Sequence, residues 1–195
     1  MTEQEIKDML IDSGALFEGH FQLTSGLHAD RYIQCARVLQ YPARAEKLGQ
    51  AAAADWQNSD IDAVIGPALG GVVFSYVAAA ALGVRSLFSE RKEGEMQLRR
   101  GFEIQPGESI LVVEDVVTTG GSVQEVLDLL QDYEVEVAGI TAIVDRSGGR
   151  VDFPFPFHPL LELEIEAVEP EDCPQCDQGL EIYSPGSKST PGQRS

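Results

Sequence analysis

Ile110-Leu111-Val112-Val113-Glu114-Asp115-Val116-Val117-Thr118-Thr119-Gly120-Gly121-Ser122 is the stretch that decides the fold. Its first four residues are apolar and mostly β-branched, which predicts a strand buried on both faces of a parallel sheet. Glu114 and Asp115 then fall at the carboxyl end of that strand, where open α/β sheets bind ligands. Thr118 to Ser122 supply hydroxyls and closely spaced backbone N–H groups at the start of a helix, which is an anion site. Carboxylates beside an anion cradle make sense when the ligand carries phosphate together with hydroxyls or a metal, as a phosphorylated sugar does. The plain alternative is an ordinary Rossmann-like strand–turn–helix, which has no need of an acidic pair, Thr-Thr and Gly-Gly together. No Gly-Lys-Ser/Thr follows a spaced Gly, so a P-loop is disfavoured.

Outward from this stretch, strands alternate with helices. Ile61–Ile65, Arg85–Phe88, Ser109–Val113 and Val135–Val144 read as strands; Pro42 to about Trp56, Gly70–Leu82 and Gly121–Leu130 read as helices. The order implies βαβ units around a five-stranded parallel sheet, an α/β fold. Thr2 and Glu5 form a capping box for a first helix that stops at Ser13-Gly14. Phe21 to Cys35 reads as a hairpin with its turn at Thr24-Ser25-Gly26. The polar run Ser89–Gln97 reads as a loop. After Gly148-Gly149 the chain turns Pro- and Phe-rich and then alternates through Leu160–Ile165. From Glu169 it is rich in Pro, Gly and Ser, the composition of a partly disordered tail.

Length and charge narrow the function. The 195 residues suit one domain with a real core. Glu3, Glu5, Asp8 and Asp12 near the start match no secretory or mitochondrial signal. The longest mostly apolar run, Gly71–Val84, is too short to span a membrane, so a soluble cytoplasmic chain is expected. With 32 acidic and 14 basic residues the net charge is −18, which argues against nucleic acid as a partner. A polyphosphate ligand would meet the same repulsion unless Mg²⁺ and a local basic cluster offset it. Arg91, Lys92, Arg99 and Arg100 make that cluster. Lysine is otherwise sparse, at Lys7, Lys47 and Lys188. Few lysines among many carboxylates suggest a salt-rich cytoplasm, where screening weakens self-repulsion; a melting temperature indifferent to KCl would refute this.

Three cysteines, Cys35, Cys173 and Cys176, argue against a disulfide framework. Cys173-Pro174-Gln175-Cys176 fits half of a zinc site completed across a dimer, a redox pair, or an unliganded pair. By itself it is too few ligands for a tetrahedral site.

The opening stretch resembles the signature of the type I phosphoribosyltransferases: apolar strand, two acids, two apolar residues, Thr, and a small, glycine-rich turn. Four further stretches extend the likeness within that family, and two of them, the hairpin and the Asp-Arg stretch, point to its orotate phosphoribosyltransferases. Phe21-x-Leu23-x-Ser25-Gly26 with Tyr32 is similar to their N-terminal hairpin. Ile65-Gly66-Pro67-Ala68-Leu69-Gly70-Gly71 is similar to their pyrophosphate loop, often marked by a cis non-proline peptide. Asp145-Arg146-Ser147-Gly148-Gly149 matches their Asp-Arg-x-x-Gly. Ser89-Glu90-Arg91-Lys92-Glu93 resembles the start of their mobile catalytic loop. The likeness spans residues 15 to 150 and is closer to the compact bacterial form with a Cys-x-x-Cys tail. It departs from the longer form at Thr24 and Gly70, each where a Lys is common, and after Lys92, where a further Lys and a His are missing.

The resemblance implies a type I phosphoribosyltransferase fold: a parallel sheet core flanked by helices, with a small N-terminal hood. It places the hood at about 1–40, the core at about 41–168 and the tail at 169–195. It implies transfer of a phosphoribosyl group from phosphoribosyl diphosphate to orotate by a homodimer with shared active sites. Glu114, Asp115, Val116, Val117, Thr118, Thr119, Gly120, Gly121 and Ser122, with Ala68, Leu69, Gly70 and Gly71, would bind phosphoribosyl diphosphate. Thr118, Arg146, Ser25 and Gly26 would bind orotate; its carboxylate and carbonyls suit a guanidinium fork. Lys92, Arg91 and Asp115 would be catalytic. Mg²⁺ would be held mainly by substrate, with Asp115 as the candidate protein ligand. Two other readings stay open: transfer to a different nucleobase, and a regulator that senses phosphoribosyl diphosphate.

Overall fold

The computed structural model describes residues 1–23 and 25–185. Thr24, where the longer relatives often carry Lys, lies outside them, as do Lys188 and the end of the tail.

The elements run α1 (Glu3–Asp12), β1 (Leu16–Gln22), β2 (His28–Ile33), α2 (Ala36–Leu39), α3 (Pro42–Ala54), β3 (Ala63–Pro67), α4 (Gly70–Leu82), β4 (Arg85–Lys92), β5 (Glu95–Leu98), β6 (Ser109–Val117), α5 (Gly121–Leu130), β7 (Glu136–Asp145), β8 (Phe157–Pro159), β9 (Ala167–Val168) and α6 (Pro174–Asp177). They divide into two units. The main unit holds residues 1–15 and 35–164; the small unit joins 16–34 to 165–195. This division differs from boundaries near 40 and 168. Both ends of the chain's middle block feed the small unit, and α1 belongs to the main one.

The main unit is built on a six-stranded sheet in the order β5-β4-β3-β6-β7-β8. Five strands are parallel, and β5 runs antiparallel to β4 at the edge. The fifth parallel strand, for which the sequence offered no residues, is β8 in the Pro- and Phe-rich stretch. The stretch Ser89–Gln97, expected as a loop, continues β4 and returns as β5. Its turn has positive φ at Glu93 (57°) and Gly94 (92°), the two-residue geometry that suits a twisted hairpin. The polar composition reflects an edge hairpin exposed to water, not an absence of strand.

Ile110, Leu111, Val112 and Val113 are wholly buried, as are Val64, Ile65 and Ile140. Alternate residues Ala63, Ile65, Ile110, Val112 and Ala142 pack with Val123, Val126, Leu127 and Leu130 of α5. Val64, Leu111 and Val113 point to the opposite face, so helices cover the sheet on both sides, as an apolar run in a parallel strand requires. Pro42 starts α3 and the Thr2–Glu5 capping box starts α1.

The small unit is a three-stranded sheet, β1-β2-β9, antiparallel throughout. Phe17, Phe21 and Tyr32 pack their rings together, and Tyr183 meets Phe21 edge-on. Residues 169–185, expected as part of a partly disordered tail, carry a short 3₁₀ turn (Pro170–Asp172) and α6. Among the described residues, no helix is long and apolar enough to cross a membrane.

Candidate active site

In the main unit, β3, β6 and β7 are neighbours and parallel, so the loops after them lie side by side at one edge. These loops hold Ala68–Gly71, Glu114–Ser122 and Asp145–Ser147, the stretches singled out in the sequence. The sheet therefore brings most of the expected site residues to one place.

Glu114 and Asp115 lie in the last half of β6, just before its end at Val117. Glu114 is buried, and burial followed by the neighbouring Asp115 charge pushes its carboxyl up to about 9. Its Oε1 accepts the Asp115 N–H at 3.0 Å, and Asp115 Oδ1 accepts the Val116 N–H at 2.9 Å. Two adjacent carboxylates, one half-exposed, suit a hard divalent cation or ribose hydroxyls. Behind them Cys35 is fully buried, its thiol 3.7 Å from the Asp115 carbonyl. Burial raises that thiol well above its ordinary range, so it is an inert packing group.

The turn after β6 leads into α5 without a side-chain cap. Gly120 takes a left-handed conformation, φ 76°. A Cβ there would come within 2.9 Å of Val151 and 3.1 Å of Phe153, so only glycine fits. The first N–H groups of α5 thus have no capping side chain among the described residues and can take an acceptor from outside the helix. A small cavity of about 40 Å³ is lined by Glu114 and residues 116–123. A larger one, about 640 Å³, lies against α1 and α3 and shares no residue with this edge.

The loop after β3 meets the acidic pair directly. A Cβ on Gly70 would sit 2.5 Å from Asp115 Oδ1. The absence of a side chain at 70 is what lets Asp115 occupy its position. The Ala68–Leu69 peptide is cis, where the resemblance expects one. Leu69 is 88% exposed, unusual for leucine. The Ala68 N–H donates to the Ser89 carbonyl at 2.7 Å. Ser89 Oγ is buried and has no hydrogen-bond partner among the described residues.

Arg146 follows β7, half-buried. Its N–H donates to the Val117 carbonyl at 2.7 Å, which fixes it beside Thr118. Asp145 holds the turn by accepting from the Ser147 N–H (2.7 Å) and hydroxyl (3.1 Å). Thr118 and Thr119 are exposed.

The basic cluster sorts into three. Arg91 forks onto Glu125 of α5 at 2.7 and 2.8 Å, and Glu114 adds to the pull that raises its pKa. Arg100 forks onto Glu90 at 2.8 and 3.0 Å, and Arg99 shares that carboxylate at 3.2 Å. Lys92, at the end of β4, has no ion pair among the described residues. Glu125 drew no attention in the sequence, because its pairing with Arg91 joins α5 to β4 across 34 positions, and the part Glu90 plays as partner of Arg99 and Arg100 depends on the hairpin turning back.

Ser25 and Gly26 belong to the small unit, in the turn between β1 and β2, where the Gly26 N–H donates to the Leu23 carbonyl at 2.9 Å.

This sheet, with an acidic pair and an uncapped glycine turn at its carboxyl edge, defines a class: a family model for the phosphoribosyl transferase domain matches residues 36–174. Orotate phosphoribosyltransferase of Thermotoga maritima is 52% identical over 183 residues, covering 94% of this chain and 98% of that protein. That of Caldicellulosiruptor bescii is 52% identical over 188 residues, covering 96% and 99%. A crystal structure of the Aeropyrum pernix orotate phosphoribosyltransferase superposes with a TM-score of 0.67 at 25% identity, covering 81% of this chain and 93% of that one. The chain belongs to the orotate phosphoribosyltransferases of the phosphoribosyltransferase family.

Proposed function

We propose that this chain joins orotate to the ribose of phosphoribosyl diphosphate, forming orotidine 5′-phosphate and releasing pyrophosphate, in the de novo route to UMP. The observation that carries the reading is the convergence of residues 68–71, 114–122 and 145–146 on three neighbouring strand ends.

The C1′–oxygen bond to diphosphate breaks and a C1′–nitrogen bond to orotate forms. An oxocarbenium-like transition state needs no covalent nucleophile, so the residues work by position and charge. The uncapped start of α5, with Thr118, Thr119 and Ser122, holds the 5′-phosphate. Glu114 and Asp115 accept from the ribose hydroxyls. The Ala68–Gly71 backbone meets the pyrophosphate, since Gly70 leaves no side chain there. Arg146, held beside Thr118, takes the orotate carboxylate.

The donor set fits Mg²⁺: Asp115 is a half-exposed carboxylate beside the loop assigned to pyrophosphate. Bound with the substrate, Mg²⁺ would neutralise charge on the leaving diphosphate. The resemblance has Arg91 and Lys92 both reach the partner's site; Arg91, forked onto its own α5 and feeling Glu114, is assigned instead to the site of its own subunit. Lys92, without an ion pair among the described residues, is the cation offered to the site of a neighbouring subunit in a homodimer. The chain works in the cytoplasm.

The test is orotate consumption in the presence of phosphoribosyl diphosphate and Mg²⁺, followed by ultraviolet absorbance. Loss of orotate with stoichiometric pyrophosphate is expected. Turnover of adenine, guanine or uracil with none of orotate would overturn the assignment.

A further inference from the structure

The small unit carries a second cluster that the transfer reaction does not use. His20, His28, Cys173 and Cys176 each turn one ligand atom inward, and these atoms all lie within 4.8 Å of one another. His20 Nε2 and His28 Nδ1 are 3.0 Å apart. The Cys173 sulfur is 3.4 Å from His20 Nε2, and the Cys176 sulfur is 3.6 Å from His20 Nε2 and 3.3 Å from His28 Nδ1. We infer that these four side chains form a closed tetrahedral zinc site that fastens the C-terminal segment to the N-terminal hairpin.

The distances fit the ion. Zinc bonds of about 2.0–2.1 Å to nitrogen and about 2.3 Å to sulfur, at tetrahedral angles, put nitrogen and sulfur about 3.5 Å apart and the two nitrogens about 3.3 Å apart. The nitrogen–sulfur pairs already bracket that value, and the two nitrogens need only open by about 0.3 Å. Two thiolates and two imidazoles favour zinc over magnesium or calcium, which prefer oxygen. His20, His28 and Cys173 are buried, 5%, 5% and 2% exposed, which suits a closed structural site with no open position.

The surroundings orient the ligands. His20 Nδ1 lies 3.0 Å from the Leu180 carbonyl. A carbonyl only accepts, so that nitrogen carries the proton and the Nε2 lone pair turns to the cluster, as outer partners of metal-bound histidines commonly arrange. His20 sits in the bulge of β1 between Glu18 and Phe21. A bulge re-aims side chains, so His20 and Phe21 are both buried although adjacent. The backbone around His20 is tied to the tail as well: the Tyr183 N–H donates to the His20 carbonyl at 2.8 Å, and Gln175 Nε2 donates to the Gly19 carbonyl at 3.0 Å. On the other side, Val168 of β9 pairs with His28. Five residues later the chain reaches Cys173, the residue before α6, and Cys176 follows at the i, i+3 spacing that shares one helix face. The Cys-x-x-Cys pair, two ligands short when taken alone, is completed within one chain and needs no dimer.

Untagged chain grown with zinc and gel-filtered should hold about one zinc per polypeptide by elemental analysis. Mercurial titration of the thiols should release it to a colorimetric chelator. Cobalt(II) put in its place should give the intense visible bands of tetrahedral coordination with sulfur-to-metal charge transfer. Cys173→Ser and His28→Ala should each lose at least about nine-tenths of the bound metal, while Cys35→Ser keeps it. Should a variant fail to fold, the thiol-coupled release and the cobalt spectrum of the unaltered chain decide alone. Chain without zinc that takes up none, zinc retained in both ligand variants, octahedral cobalt bands, or an intact mass two hydrogens low from a Cys173–Cys176 disulfide would each overturn the site.

Discussion

The carboxyl edge of the six-stranded sheet takes its groups from loops that follow β3, β6 and β7 at once in sequence. The small unit takes His20 and His28 from near one end of the chain and Cys173 and Cys176 from near the other, 148 residues separating His28 from Cys176. At the sheet edge, parallel pairing does the gathering, and most of the gathered residues are short, exposed or backbone groups that a ligand must reach. In the small unit a two-residue strand pairing does it, and the gathered groups are turned on one another, all but Cys176 of them buried. The first arrangement is built for turnover, the second for holding the chain together. Substitutions should therefore separate: those at the edge change kinetics, and those in the cluster change metal content and cohesion.

The contrast breaks most visibly at Lys92. Lys92→Ala should lower turnover by roughly 10²–10³-fold, with a melting curve like that of the unaltered chain. Near-normal turnover would remove Lys92 from the chemistry. Arg146→Ala should raise the KM for orotate by roughly 30-fold, the worth of a charged hydrogen bond of about 2 kcal/mol, and leave phosphoribosyl diphosphate binding nearly unchanged. Equal losses for both substrates would contradict its role in selecting the base.

Glu114 tests what the edge costs in stability. Its carboxyl, ordinarily near 4.5, titrates at about 9 in the folded chain. Between those values the folded state keeps a proton that the unfolded state releases, so stability falls as pH rises from 4.5 toward 9. Glu114→Gln has no proton to lose. Without ligands it should be more stable than the unaltered chain at pH 8, by at least about 1 kcal/mol, with the gap closing near pH 4.5. Denaturant titrations at both pH values check this, and a gap independent of pH would show that Glu114 does not titrate in the window. Glu125→Gln is the mildest case. It frees Arg91 from an exposed pair worth at most about 1 kcal/mol, so stability should hardly move and turnover should change by less than about tenfold, in a manner sensitive to salt. A large loss of activity would show that Glu125 positions Arg91 for the reaction.

How much of this was legible follows from the same contrast. Residues 110–122 could be read directly because strand, acidic pair and turn are contiguous and each has its own local signature. Arg146 was legible as a motif, but its fixed place beside Thr118 rests on the β6–β7 register. The need for glycine at 70 was not legible, since it comes from Asp115, a residue 45 positions away that meets it only through the β3–β6 pairing. The β4–β5 hairpin was hidden by its polar side chains, although Glu93-Gly94 was a usable turn signal. The histidines of the metal cluster carry no ligand spacing. Only the bulge in β1 and the pairing of β9 with β2 bring them to the cysteines, and neither can be seen in a linear pattern.

The small unit's two-ended construction also sets a timetable during synthesis. The hairpin is complete once residue 34 has been made, but its partners begin at residue 165. At roughly 5–20 residues per second, the ribosome needs somewhere between several and a few tens of seconds to supply them. For that interval Phe17, Phe21 and Tyr32 have no Tyr183 beside them, and His20 and His28 face water. The nascent chain therefore carries an aromatic, metal-attracting hairpin until the segment with Cys173, Cys176 and Tyr183 emerges to meet it.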